Sequence, residues 1–382
     1  MTSLDDFASR LSVPEKAWQP RVESNGHQAL VISQPYSGEQ THDALMLEHG
    51  FDPAAWELDG PVTFSKRELV SGDEVVSYRF KVRKRVDKVE LAHAFAAARK
   101  ARAPRIPVTV NEDRALVVVL ADVQVGKVAS RGGTPEMLER VYTKLDLLRA
   151  EIKRRKCGTA VFLEAGDVIE NVQNVKSQIA TNDLALTDQL DIASTIETDF
   201  ITALAQTHKE VLVAGVPSNH SVLRAGKDIT NTVSDDYGLF LLRQLKKAFA
   251  LNEKAYGHVS FFEPAPYRES LTLDVLGIGL GLVHGHQARP NMFENWLAGQ
   301  VNGNGPLAKA EVICGGHYHH FRAQPVGRSI VTDREKWFLQ APTLDSGSDW
   351  WQSIKGSDSD AGLLIFEVVR DKGLDLQSLT VL

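Results

Sequence analysis

Short apolar runs that stop abruptly in polar clusters organise the larger part of this chain. Ala115–Leu120 leads into Asp122, Val161–Leu163 into Asp167, and Val211–Ala214 into Asn219-His220. Between these runs the pattern changes to a helical period. Thr134-Pro135 predicts a helix start with threonine as N-cap and proline at the first position. Leu138, Val141, Leu145, Leu148 and Ile152 form its buried stripe, and Gly158 follows its end. Further helices are predicted over 183–207 and 234–250. Downstream, 259–262, 270–276, 278–283, 311–314, 336–340, 362–369 and 376–382 read as strands. Strand–helix alternation followed mostly by strands predicts an α/β fold, a two-sheet α/β sandwich over 115–382.

The N-terminal part reads differently. Residues 1–40, polar and carrying Pro14, Pro20 and Pro35, predict a loosely ordered lead-in. Residues 42–50 predict a short helix closed by Gly50, with a turn at Asp52-Pro53. A hairpin follows: a strand over 61–70, a turn at Ser71-Gly72-Asp73, and a strand over 75–86. In the second strand Val76, Tyr78, Phe80 and Val82 share one face, and Arg79, Lys81, Arg83 and Arg85 the other. A helix over 88–101, starting at Lys88, and a linker over 103–114 with Pro104 and Pro107 complete a small α+β domain at 41–102. Basic positions on a strand are ordinarily a solvated outer face, but four in a row without an intervening acid also make a ridge for phosphates.

Charge changes that picture. The chain of 382 residues has a net charge of −6, which alone argues against nucleic acid. Yet residues 1–60 carry 10 acidic and 3 basic residues, whereas residues 61–114 carry 7 acidic and 13 basic. The basic hairpin therefore stands apart from its surroundings. No apolar run is long enough for a membrane span, and the N-terminus has no signal-peptide pattern, so a cytoplasmic protein is expected. Cys157 and Cys314 stand in unrelated contexts and predict no disulfide.

Five polar clusters carry the candidate chemistry: Asp122-Val-Gln124, Gly166-Asp167, Ser218-Asn219-His220, His284-Gly285-His286 and Gly316-His317-Tyr318-His319. They supply carboxylate, amide and imidazole donors and no thiol, a set suited to divalent Mn, Mg, Zn or Fe. In open α/β sheets such loops converge beyond the carboxyl ends of strands.

The order and chemistry of the clusters resemble the calcineurin-like metallophosphoesterases, whose motifs are Asp-x-His, Gly-Asp-x-x-Asp, Gly-Asn-His-Asp/Glu, an isolated His and Gly-His-x-His. The resemblance implies a site for two divalent ions, Mn foremost, and hydrolysis of a phosphate ester by an activated hydroxide. Residue by residue, it implies that Asp122 and His319 bind the first metal and Asp167 bridges both. Asn219, His284 and His317 complete the second site, and His220 protonates the leaving oxygen or stabilises the transition state. Gln124, where the family has His, either offers its amide oxygen to the first metal or does not ligate. Glu170 stands for the usual Asp as an orienting group, and Ser218 and Ser221 replace Gly and the acid, leaving open what orients His220. His286 is the alternative to His284 as ligand, Arg224 either holds a substrate phosphate or is a surface arginine, and Lys127 is equally ambiguous. His320 reads as a flank of its motif and Trp350-Trp351 as packing, while His27, His42, His49, His93, His208 and His258 read as structural.

Among these proteins the run from Asp122 to Thr134, together with Asp52-Pro-x-x-Trp56, looks most like phage and prophage members described as repair-exonuclease-like. That resemblance implies a DNA nuclease, with Arg79, Lys81, Arg83 and Arg85 contacting DNA. The alternatives are a phosphatase or cyclic-nucleotide phosphodiesterase for small substrates, and a non-catalytic scaffold. A homodimer or an ATPase partner is left open.

Overall fold

The computed structural model describes residues 20–382, apart from 25–27, 69–71, 86–90, 108, 173–180, 226–227, 230–231, 290–291, 348–351 and 353–358. Residues 1–19 of the expected lead-in, His27, Ser71, Lys88 and the Trp350-Trp351 pair lie outside the described residues. The chain divides into two units, Met1–Asp87 and Lys88–Leu382.

The first unit is built on the predicted basic strand. Strands β1 (Arg21–Ser24), β2 (Gln28–Ile32), β3 (Trp56–Leu58), β4 (Thr63–Glu68) and β5 (Glu74–Lys84) form one antiparallel sheet in which β2, β3 and β4 all pair with β5. Helix α1 (His42–Glu48), capped by the Thr41 hydroxyl, packs Leu45 and Met46 with Ala29, Val31, Val76, Tyr78, Phe80 and Val82. The period-2 pattern of β5 thus sends its apolar face into this small core. Part of the expected loose lead-in is instead strand, because β1 and β2 supply the edge that β5 alone would leave unpaired.

The second unit begins earlier than the expected linker at 103–114. Helix α2 (Leu91–Lys100) packs on α4 (Leu186–Ala205) and α5 (Tyr237–Ala250), and Asn252 Nδ2 donates to the Ala98 and Ala101 carbonyls at 2.9 Å each. The first sheet runs β11 (Val259–Phe262), β8 (Glu210–Gly215), β7 (Cys157–Glu164), β6 (Asn111–Leu120), β17 (Leu364–Val369) and β18 (Gly373–Val381). Its strands β6, β7, β8 and β11 are parallel. The second sheet runs β12 (Ser270–Val275), β13 (Ile278–Val283), β14 (Val312–Gly315), β16 (Glu335–Gln340) and β15 (Arg322–Arg328), with β13, β14 and β16 parallel. Both sheets feed one core: Val117, Val119, Leu163 and Leu364 from the first meet Leu280, Leu282, Cys314 and Leu339 from the second. Alternate residues of the second sheet, Val283 and Ile313, face the other way and pack on Phe293 and Leu297 of helix α7 (Phe293–Asn302). Layers on both faces explain why these strands read as continuous apolar runs. The α/β sandwich expected from the sequence is therefore present.

Three local expectations need correction. Helix α3 (Thr134–Arg155) is capped by Gly133, not Thr134, whose hydroxyl instead donates to Asp183 at 2.7 Å. Met137 is buried in that helix where the stripe names Leu138. Its last turn is closed by Lys156 in the left-handed region, and Gly158 lies inside β7. A Cβ at Gly158 would sit 3.0 Å from the Glu112 Cα, so close strand packing, not a helix stop, requires that glycine. Both cysteines are buried and free, and no helix among the described residues is long and apolar enough to cross a membrane.

Candidate active site

All five polar clusters begin within four residues of a strand's carboxyl end, at β6, β7, β8, β13 and β14. Backbone bonds tie the loops together. The Asp122 N–H donates to the Gly166 carbonyl at 3.0 Å, and Gln124 N–H to the Asp167 carbonyl at 2.9 Å. The Gly316 N–H donates to the His284 carbonyl at 2.7 Å. Asp167 N–H donates to Ser218 Oγ at 2.8 Å, and its carboxylate accepts from the His220 N–H at 2.8 Å. Asp122, Gln124, Asp167, His317 and His319 all have positive φ, between 46° and 71°. Each such residue costs of order 1–3 kcal/mol, so the surrounding bonds hold strain at this one place.

Asp167, His284 and His317 bring their ligand atoms within 4.8 Å of one another. The ring orientation of His284 defines what this group can bind. Its Nδ1 lies 2.7 Å from the Ala165 carbonyl, which can only accept, so Nδ1 carries a proton. In the neutral ring Nε2 is then a lone pair, 3.0 Å from Asp167 Oδ2 and 2.9 Å from Asn219 Oδ1. Three electron-rich atoms facing one another require a cation between them, a proton or a metal ion. Burial and the neighbouring His284 bring the His317 pKa down to about 4, which leaves its imidazole neutral and able to ligate. Burial works against the Asp167 charge, but the protonated rings of His284 and His220 hold its pKa well below the usual carboxylate range. The donor set of one carboxylate, one amide oxygen and two imidazoles fits a divalent ion. His284 is the residue that faces Asp167; His286 turns its Nε2 toward Glu269 at 3.9 Å.

The other half of the site is arranged differently. Asp122 Oδ2 accepts from the His317 N–H at 2.8 Å, while its buried Oδ1 has no hydrogen-bond partner among the described residues and lies 3.4 Å from His319 Nε2. His319 Nδ1 is 3.3 Å from Asp345 Oδ2. Thr343 braces the backbone at both aspartates, donating to the Asp122 carbonyl at 2.6 Å and accepting from the Asp345 N–H at 2.9 Å. The sequence leaves Gln124 either offering its oxygen to the first metal or not ligating. The structure commits that oxygen to Lys127, whose Nζ donates to Gln124 Oε1 and to Asp345 Oδ2, each at 2.6 Å. Burial opposes the Lys127 charge, but Asp345, Glu170 and Asp122 outweigh it and raise its pKa above the ordinary lysine value.

Around this core the other sequence-derived residues take definite places. His220 Nδ1 lies 3.2 Å from Glu170 Oε2 and 3.3 Å from the Glu170 carbonyl, so Glu170 is placed where it can orient the ring. Burial works against the His220 imidazolium, yet Asp167 and Glu170 raise its pKa to about 9. Arg224, in the short strand β9 (Arg224–Ala225) paired with β10 (Asp228–Ile229), has a buried Nε with no partner among the described residues. His320 bonds the Tyr318 carbonyl at 2.7 Å and is exposed. His208 and His258 bond the Leu204 and Ala205 carbonyls, a structural use. Asp345 escaped the sequence reading because no motif contains it; its only signal is the polar Gly/Ser/Asp stretch at 345–349.

A layer of buried acids backs the site. Glu164 Oε1 accepts from the Gly166 N–H at 2.7 Å, and Asp236 accepts from Ser218 N–H at 3.0 Å, so each steadies a ligand-bearing loop. Glu197 lies behind them with a buried Oε1 that has no partner among the described residues, and burial pushes its pKa up to about 8. The folded chain therefore holds this proton more tightly than the unfolded chain, and stability falls as pH rises from the ordinary glutamate value toward the raised one. Glu197→Gln is expected to raise the melting temperature by several degrees at about pH 8 and by little at about pH 5. Thermal unfolding of both proteins at the two pH values checks this; an equal shift at each would assign the effect to packing.

No protein-family model matches this chain, and no curated protein matches it in sequence. Solved structures give a weak likeness. A purple acid phosphatase from yellow lupin (Lupinus luteus) seeds is 9% identical over 92% of this chain and 70% of its own, with a TM-score of 0.30. A candidate 5′-nucleotidase of Staphylococcus aureus is 9% identical over 70% of this chain and 54% of its own, with a TM-score of 0.29. A phosphatase of Mycoplasma pneumoniae is 10% identical over 72% of this chain and 94% of its own, with a TM-score of 0.28. At TM-scores this low the likeness carries no functional argument, and the reading rests on the site itself.

Proposed function

We propose that this chain is a metal-dependent phosphoesterase of the calcineurin-like type, acting on phosphodiester bonds of DNA in the manner of the repair-exonuclease-like members. One observation carries the reaction class: the His284 lone pair converges with Asp167, Asn219 and His317 on a point that only a cation can fill. Asp167, Asn219, His284 and His317 would hold a divalent ion, manganese by preference, and Asp122 and His319 flank it. When bound, the ion supplies Lewis acidity toward a phosphoryl oxygen and acidifies a water. His220, held by Glu170, is placed to give a proton to the leaving oxygen. Arg224, whose Nε has no partner among the described residues, is suited to a phosphate oxygen.

The choice of DNA rests on β5, where Arg79 and Lys81 are exposed on the face opposite the core. Arg83 is less available, since Glu57 of β3 pairs with it at 2.9 Å. Arg85 donates to the Pro53 carbonyl at 2.8 Å. That shortened ridge favours a second reading, hydrolysis of small phosphoesters.

Assays with Mn, Mg or no metal on single-stranded, double-stranded and nicked DNA and on a nitrophenyl phosphodiester separate the two. A DNA enzyme should weaken steeply with salt, and Arg79→Ala/Lys81→Ala should reduce that log–log slope by roughly 2. Fast nitrophenyl turnover with no salt dependence would favour the small-substrate reading. Absence of any metal-dependent hydrolysis would leave the chain a scaffold.

A further inference from the structure

We propose that the Lys127 ammonium takes the place of the first metal ion, so that this site binds one divalent cation per chain. The inference rests on the metal-dependent reading above and sharpens it. Lys127 Nζ lies between Gln124 Oε1 and Asp345 Oδ2, 2.6 Å from each, and its side chain is only 13% exposed. Gln124 is the residue whose side chain the first motif would direct at the first metal. Its amide oxygen already accepts from a positive charge, which would repel a divalent ion at the same atom.

The local backbone aims the lysine into this position. The Lys127 N–H donates to the Gln124 carbonyl at 3.0 Å, closing a turn through Gly126 at φ 98°. A Cβ on Gly126 would approach Asn182 Oδ1 to 2.6 Å and Gln189 Cδ to 2.7 Å, so no larger residue fits without moving the turn. Lys127 also bridges to Asn182 through its backbone, which leaves the side chain little choice of direction.

Charge balance agrees. Asp122, Asp167 and Asp345 are the buried carboxylates of the two half-sites, while Glu170 is matched by His220. One divalent ion and one ammonium already match the three carboxylates in charge, and the His319 ring faces both Asp122 and Asp345, so a second divalent ion would leave an excess of at least two positive charges in a buried site.

The test is the number of ions bound. Protein equilibrated with Mn and freed of excess is assayed by elemental analysis and by electron paramagnetic resonance. One magnetically isolated Mn per chain is expected. Lys127→Met should take up a second ion and show exchange coupling between the two, whereas Lys127→Arg, which keeps the charge, should stay at one. Two coupled ions in the unaltered chain would overturn the inference while leaving the metal-dependent reading intact. A count that stays at one in a folded Lys127→Met would also overturn it. No bound ion would overturn the metal-dependent reading, and this inference with it. Should Lys127→Met fail to fold, the count in the unaltered chain decides alone.

Discussion

Replacing Asp167 with asparagine is expected to lower phosphoester hydrolysis by roughly 10³-fold or more and to abolish tight binding of a divalent ion. The substitution is nearly isosteric, so the fold should survive. What disappears is the charge. Asp167 is buried, its Oδ2 faces the His284 lone pair at 3.0 Å, and its Oδ1 accepts from the His220 backbone. An amide in that position offers one oxygen: an N–H turned toward His284 occupies the lone pair and repels the cation, and an N–H turned the other way faces the His220 N–H and is repelled by it. Metal content and turnover should fall together, with the melting temperature measured in metal-free buffer little changed. An Asp167→Asn protein that keeps its ion and its rate would remove Asp167 from the centre of the site.

Replacing His220 with alanine should reduce turnover on a natural phosphodiester by roughly 10²- to 10⁴-fold, the usual loss for a general acid. The loss depends on what leaves. A nitrophenolate departs without needing a proton, so His220→Ala should cost far less on a nitrophenyl phosphodiester than on an alkyl or nucleoside ester. That difference separates proton donation from a merely structural role, which would depress both substrates alike. Glu170→Gln should give a smaller loss of the same selectivity, since Glu170 holds Nδ1 of His220 at 3.2 Å without approaching the reaction. Metal content should be unaffected in both variants. Equal losses on the two substrates would assign His220 to binding.

Much of the architecture is legible in the residue pattern alone. The period-3.6 stripe Val141, Leu145, Leu148 and Ile152 and the apolar runs before Asp122, Asp167 and Asn219 identify elements by local pattern, because both faces of those strands are covered. Elements without such a pattern are not legible in this way. Strand β15 (Arg322–Arg328) contains Pro325 and alternates polar residues, and it exists because it pairs with β16 along an edge. Strand β2 reads as loose lead-in for the same reason: its partner β5 lies some fifty residues away, and β1 in turn pairs with β2.

The candidate site divides along the same line. Sequence by itself determined which side chains are chemically able to form a metal site and that they follow strand ends, since motif spacing and strand periodicity are local properties. Only the tertiary structure decided which of them meet. It turned His284, not His286, toward Asp167, brought Asp345 across more than two hundred residues to Lys127, and gave Gln124's oxygen to an ammonium. It also laid Glu57 against Arg83, taking one member out of a ridge of four basic side chains. Apart from the Gln124–Lys127 contact, which spans three residues, these join positions well separated in the chain, set by how sheets and their loops pack, and no local pattern of residues encodes them.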